Sequence, residues 1–161
     1  MSTGRTHTRA SLILSGTFLV GTLFTGNVSD VQYAFGAALG VMLSPDLDVD
    51  NKNISYKYIR SIGNVFEFIW GWLWYPYRKS LKHGGNLSHD PIIGTLGRII
   101  FLFYRLIVIP EVILSVSGQV DFWNEMQWWA WKMILLWKIW IGLAGADLIH
   151  FVLDIATTNV D

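Results

Sequence analysis

Apolar side chains in this sequence come in four runs, and a chain so divided must either bury them in a core or lay them in lipid. The runs cover Ala10 to Gly26, Val31 to Ser44, Ile92 to about Val116 and Trp128 to about Ile149. A spanning helix needs about 20 apolar residues, with a lower limit near 17. The third and fourth runs are long enough, the first sits at the limit and the second falls short. Apolar residues make up 52% of the 161 and charged residues 15%, against about 25% charged in ordinary soluble domains. Nine tryptophans add to the apolar surface that a soluble domain of this size would have to hide. The expectation is an all-α integral membrane bundle of about four transmembrane helices, a single domain over residues 1–161.

Local signals place the breaks. Asn27-Val-Ser-Asp30 reads as a tight polar turn, so the first two runs form an antiparallel pair or, being short, a re-entrant hairpin. Ala34, Gly36, Ala37, Ala38 and Gly40 are small enough to let a neighbouring helix approach closely. Pro45 ends that run. Phe66 to Tyr75 is too short to span, crowded with aromatics and followed by Arg78, Lys79 and Lys82, which suits a Trp-rich helix at the headgroup level. Asp90-Pro91 has the N-cap and first-position residues of a helix start. The N-terminus has the basic start and short apolar run of a signal peptide but no small-x-small cleavage site, and is read as part of the mature chain.

Arg5, Arg9, Lys52, Lys57, Arg60, Arg78, Lys79 and Lys82 all flank one side of a four-span arrangement, while Asn27 to Asp30 and Ser117 to Gln127 hold no Lys or Arg. The positive-inside rule then puts both termini and the long 45–91 loop in the cytoplasm. Zero net charge argues against nucleic acid as a partner. The absence of cysteine excludes disulfides and thiolate metal sites. Membrane lipid is the expected partner, and association with like or unlike chains stays open.

All four histidines stand next to the apolar runs, near carboxylates or each other. His150 and Asp154 are one turn apart on a helix, with Asp147 on the same stripe. Imidazole and carboxylate in that spacing suit Zn, Mn or Fe; the bland alternative is a helix end turning polar. Asp46 and Asp48 share a face if the chain there is extended, as in sites that bridge two cations, or they belong to a capping turn. His83 and His89 bracket a glycine-containing loop whose turns would let both rings converge. His7 precedes the first run. Arg98 and Arg105 share a face of the third run. Intramembrane cations are costly, so Arg105 and Lys138 are expected to hold a lipid phosphate or pair with carboxylates; the bland alternative, for Arg98 and Lys138, is snorkelling to an interface.

Gly4-Arg-Thr-His7, Leu43-Ser-Pro-Asp-Leu-Asp48, Trp74-Tyr-Pro-Tyr-Arg-Lys-Ser80, His83 and Leu87-Ser-His-Asp-Pro-Ile-Ile-Gly-Thr95 resemble, in order, the cyanobacterial-type metal-binding proteins of a family of unknown function. That family is similar to predicted membrane-bound metal-dependent hydrolases. The resemblance implies that His7, Asp46, Asp48, His83, His89, His150 and Asp154 stand at ligand positions. Thr8, Gly84 and Ile149 depart from its usual Asp, Arg and small polar residue. His150-x-x-x-Asp154 is also similar to a ligand pair of zinc-dependent phospholipases C, an analogy that does not fix a substrate.

These features together lead to a membrane protein with a cytoplasm-facing centre of two or more divalent ions, zinc first. A metal-dependent hydrolase acting on an ester or phosphoester of a lipid or another membrane-borne substrate follows. Asp147 would serve as a base or support a ligand, and Arg78, Lys79 and Lys82 would attract a head group. The alternatives are a non-catalytic assembly or structural protein whose metal only ties segments together, and a small transporter using Arg105 and Lys138.

Overall fold

The structure is a computed structural model, and it describes residues 4–48, 53–80 and 90–158. Among these residues it is helical, with no strand. Helix α1 runs Gly4–Thr25, and a 3-10 turn (Val28–Asp30) leads into α2 (Val31–Leu39). A second 3-10 turn (Pro45–Asp48) precedes α3 (Ile54–Ile62) and α4 (Asn64–Ser80). Helix α5 (Ile93–Val116) contains one π-helical turn, Tyr104–Val108. Helices α6 (Phe122–Leu135) and α7 (Trp137–Thr158) follow.

Among the described residues three helices are long and apolar enough to cross a membrane: Arg5–Thr25, Ile93–Val116 and Trp137–Thr157. The bundle is all-helical as expected, with three candidate spans rather than about four among the described residues. The second run forms a helix of only nine residues. The fourth is displaced, because the chain breaks at Leu136 and leaves the Trp-rich Phe122–Leu135 as a separate helix. No Gly or Pro marks that break. The Trp140 indole bridges it, donating to the Met133 carbonyl 3.0 Å away, while Asp121 caps the far end of α6 by accepting from the N–H groups of Trp123 and Asn124.

The small residues of the second run are used at backbone range. Helix α2 packs most extensively on α7 and also lies against α1. A Cβ added to Gly36 would come within 2.0 Å of the Ile139 carbonyl oxygen, and one added to Gly142 within 2.1 Å of that of Tyr33. Gly40 faces the Ala146 methyl. Residues 33 and 36 thus meet 142 and 139, and 40 meets 146, a broadly parallel arrangement of α2 and α7. Ser15 donates to the Ala34 carbonyl at 2.8 Å and ties α1 to α2 in the opposite sense.

At the turn between α1 and α2, Lys138 donates to Asp30 (2.7 Å) and Ser29 (2.6 Å). At the other end of the bundle lie the start of α1, the Pro45–Asp48 turn, the start of α5 and the second half of α7. Helix α4, the expected Trp-rich segment, is not among the candidate spans. Its Leu73, Trp74 and Tyr77 are buried with Leu47. Trp74 stacks on Phe101 of α5 and Tyr77 meets the same ring at a tilt, while Trp72 carries the Arg105 guanidinium 4.3 Å over its ring. In the π turn the backbone gains a residue per turn. Beyond it Glu111 accepts from the Trp129 indole of α6 at 3.2 Å.

Candidate metal centre

His7 and His150 do not stand outside the apolar helices, as their position in the sequence suggests. They lie inside α1 and α7, near the ends that meet. The reason is the packed face: His7, Thr8, Ser11 and Ser15 are all buried, so this polar series continues the helix inward rather than ending it. His7 is 7% exposed and His150 4%. Their rings stack with centroids 3.5 Å apart and planes 9° from parallel.

Both Nε2 atoms converge on Asp154, one turn beyond His150. His7 Nε2 is 3.2 Å from Oδ1 and His150 Nε2 is 3.3 Å from Oδ2. Asp46 approaches from the Pro45–Asp48 turn, with Oδ1 3.7 Å from His150 Nε2. One donor atom from each of His7, His150 and Asp154 fits within a 4.8 Å span. Two ligands held about 2.0–2.1 Å from one tetrahedral cation sit about 3.3 Å apart. The observed separations match that edge, so the donor set fits a divalent metal. The imidazoles are buried, whereas the side chains of Asp154 and Asp46 are 26% and 29% exposed. The cluster is therefore closed toward the bundle and open on its carboxylate side.

Asp46 and Asp48 were expected to share a face of extended chain. Residues 45–48 instead form a 3-10 turn, in which positions two apart point in different directions. Ser44 Oγ accepts from the Asp46 N–H at 3.2 Å, and Leu47 is fully buried against Trp74 and Tyr77. This packing fixes Asp46 facing α7. The Asp48 side chain, Lys82, His83 and His89 lie outside the described residues.

Asp147 shares the helix but not the cluster. It is fully buried, and its carboxylate accepts from the Arg98 guanidinium and the Thr95 hydroxyl of α5. Arg98 is 0% exposed, so it does not snorkel. Sequence reasoning missed Thr95. The available signal was Thr95 and Arg98 three apart on one helical face, opposite an aspartate inside an apolar helix. Lys138 pairs with Asp30, one of its two expected roles, and Arg105 stacks on Trp72. Asp90 caps α5, accepting from the N–H groups of Ile92 (2.8 Å) and Ile93 (2.7 Å). Arg78 lies over the Tyr56 ring and donates to the Gly71 carbonyl, and Lys79 lies near Tyr75.

No curated protein and no solved structure matches the chain. A family of uncharacterized metal-binding proteins matches it from residue 2 to residue 161, in keeping with the donor cluster, and the chain belongs to that family, DUF2227.

Proposed function

We propose that this chain is an integral membrane protein, with both termini and the metal centre on the cytoplasmic side, that hydrolyses an ester or phosphoester of a lipid or another membrane-borne substrate. The observation that carries the reading is the half-open cluster: two buried imidazoles from different helices and two partly exposed carboxylates around one point. His7, His150, Asp154 and Asp46 would hold a divalent cation, zinc before manganese or iron. Asp48, His83 and His89 are the ligands proposed for a second ion. Bound there, such a cation supplies an activated water and a Lewis acid.

The chain's own residues set the conditions for that chemistry. The stacked histidines exclude water on the core side. The exposed edge of Asp154 and Asp46 leaves the approach for substrate and water. Asp147, held by Arg98 and Thr95, fits a positioning role for the helical turn before His150 better than that of a free base. Arg78 and Lys79 in the last turn of α4, with Lys82 two residues beyond Ser80 in the sequence, attract an anionic head group.

A closed structural centre is the second reading, favoured by the near-complete burial of both imidazoles. Elemental analysis of detergent-purified protein beside His150→Ala, with a phosphoester and lipid-ester hydrolysis screen, separates the two. Stoichiometric metal and hydrolysis, both lost in His150→Ala, are expected. Stoichiometric metal without hydrolysis leaves the structural centre, and a wild type purified without chelators yet low in metal would sink both.

A further inference from the structure

A cavity of about 460 Å³ lies between the end of α4 and the first half of α5, within the range of about 300–1,000 Å³ usual for ligand sites. Ile93, Gly97, Ile100 and Tyr104 form its wall on α5, spaced as one helical stripe. Tyr77 and Ser80 form the wall on α4. Ile93, Ile100 and Tyr104 are 53%, 64% and 54% exposed, so among the described residues this stripe is left largely uncovered.

Gly97 separates this groove from the helix contacts elsewhere. Gly36 and Gly142 have backbone where a Cβ would go, whereas a Cβ at Gly97 meets nothing within 4 Å. Glycine inside a helix costs about 0.5–1 kcal/mol relative to alanine, and no protein contact here requires it. Its missing side chain leaves the groove deep.

The groove starts at the level of the metal centre. Thr95 and Arg98, on either side of Gly97, bond Asp147, one turn before His150. Tyr77 packs on Leu47, the neighbour of Asp46. From there the groove follows α5, a helix apolar enough to cross a membrane, as far as Tyr104. Lys79 adjoins Ser80 in the last turn of α4, and Arg78, turned toward Tyr56 and the Gly71 carbonyl, adds positive charge to the same turn. Resting on the membrane-embedded reading above, we propose that this groove holds one acyl chain of an anionic phospholipid, with its ester and head group at the depth of the His7/His150/Asp154 cluster.

The test uses the full chain in lipid nanodiscs with phosphatidylglycerol carrying a diazirine in one acyl chain, and maps cross-linked peptides by mass spectrometry. Labelling should concentrate on the last turn of α4 and on Ile93 to Tyr104. Gly97→Leu and Ile100→Trp fill the groove, and displacing two methylenes should lower that labelling about tenfold. Ile141→Trp, at an exposed position of α7, should leave it unchanged. Two variants guard against one failing to fold. Labelling spread evenly over α1, α5 and α7 overturns the proposal. So does labelling that both groove-filling variants leave intact, or that phosphatidylcholine or free fatty acid with the same diazirine matches. Metal content of the same samples separates the readings: labelled protein without metal removes the metal centre and keeps the groove, and metal without groove labelling does the reverse.

Discussion

Arg98 and Asp147 form an ion pair in the interior of the bundle, both essentially unexposed. Charges taken out of water recover their desolvation cost only through each other and added hydrogen bonds, here the Thr95 hydroxyl. Arg98→Met should therefore destabilise the protein by about 3–5 kcal/mol, because it abandons a buried carboxylate. The double variant Arg98→Met/Asp147→Leu should recover most of that in unfolding experiments in mixed micelles. If the pair positions the turn before His150, the folded double variant should bind metal about tenfold more weakly. Sequence alone could show Arg98 as an expensive intramembrane cation, but its partner is far along the chain and only the fold brings them together. His150 and Asp154 were legible because one helix fixes their spacing. His7 joined them only through the packing of α1 on α7.

Between elements, the decisive contact is the backbone approach of α2 and α7. A methyl at Gly36 would overlap the Ile139 carbonyl, a backbone atom with no rotamer to yield. Gly36→Ala should cost about 3 kcal/mol, the upper end for overpacking. Gly21→Ala, which meets nothing within 4 Å, should be neutral or gain about 0.5–1 kcal/mol from helix propensity. Thermal unfolding of both variants in one detergent checks the contrast. The run of small residues announced a close neighbour, yet both α1 and α7 were available to it, and composition does not choose between two apolar faces. The break at Leu136 was illegible for a related reason: what spans it is the Trp140 indole on the Met133 carbonyl, not a helix-breaking residue.

Across the whole molecule, the two ends of the bundle are fastened by different chemistry. One end has the His/Asp cluster and the other the Asp30–Lys138 pair. The hydrogen bond from Lys138, then that from Thr25, holds the Asp30 carboxyl below its ordinary value of 3.8. A carboxyl lowered in the folded state contributes stability that is fully present above the unfolded value and is lost as pH falls through the folded one. The stability difference between wild type and Lys138→Met should be constant at neutral pH and shrink below pH 3.8, read from unfolding curves across an acid series. Between the two ends runs α5, and its π turn at Tyr104–Val108 acts as a phase shifter. One residue more than an α-helical turn advances every later side chain by about 100° around the axis. Ahead of the turn Arg98 faces α7, and after it Glu111 faces α6. Glu111 therefore stands about 100° from where an unbroken α-helix would carry it relative to Arg98, and the extra residue sets the bearing on which α6 is met.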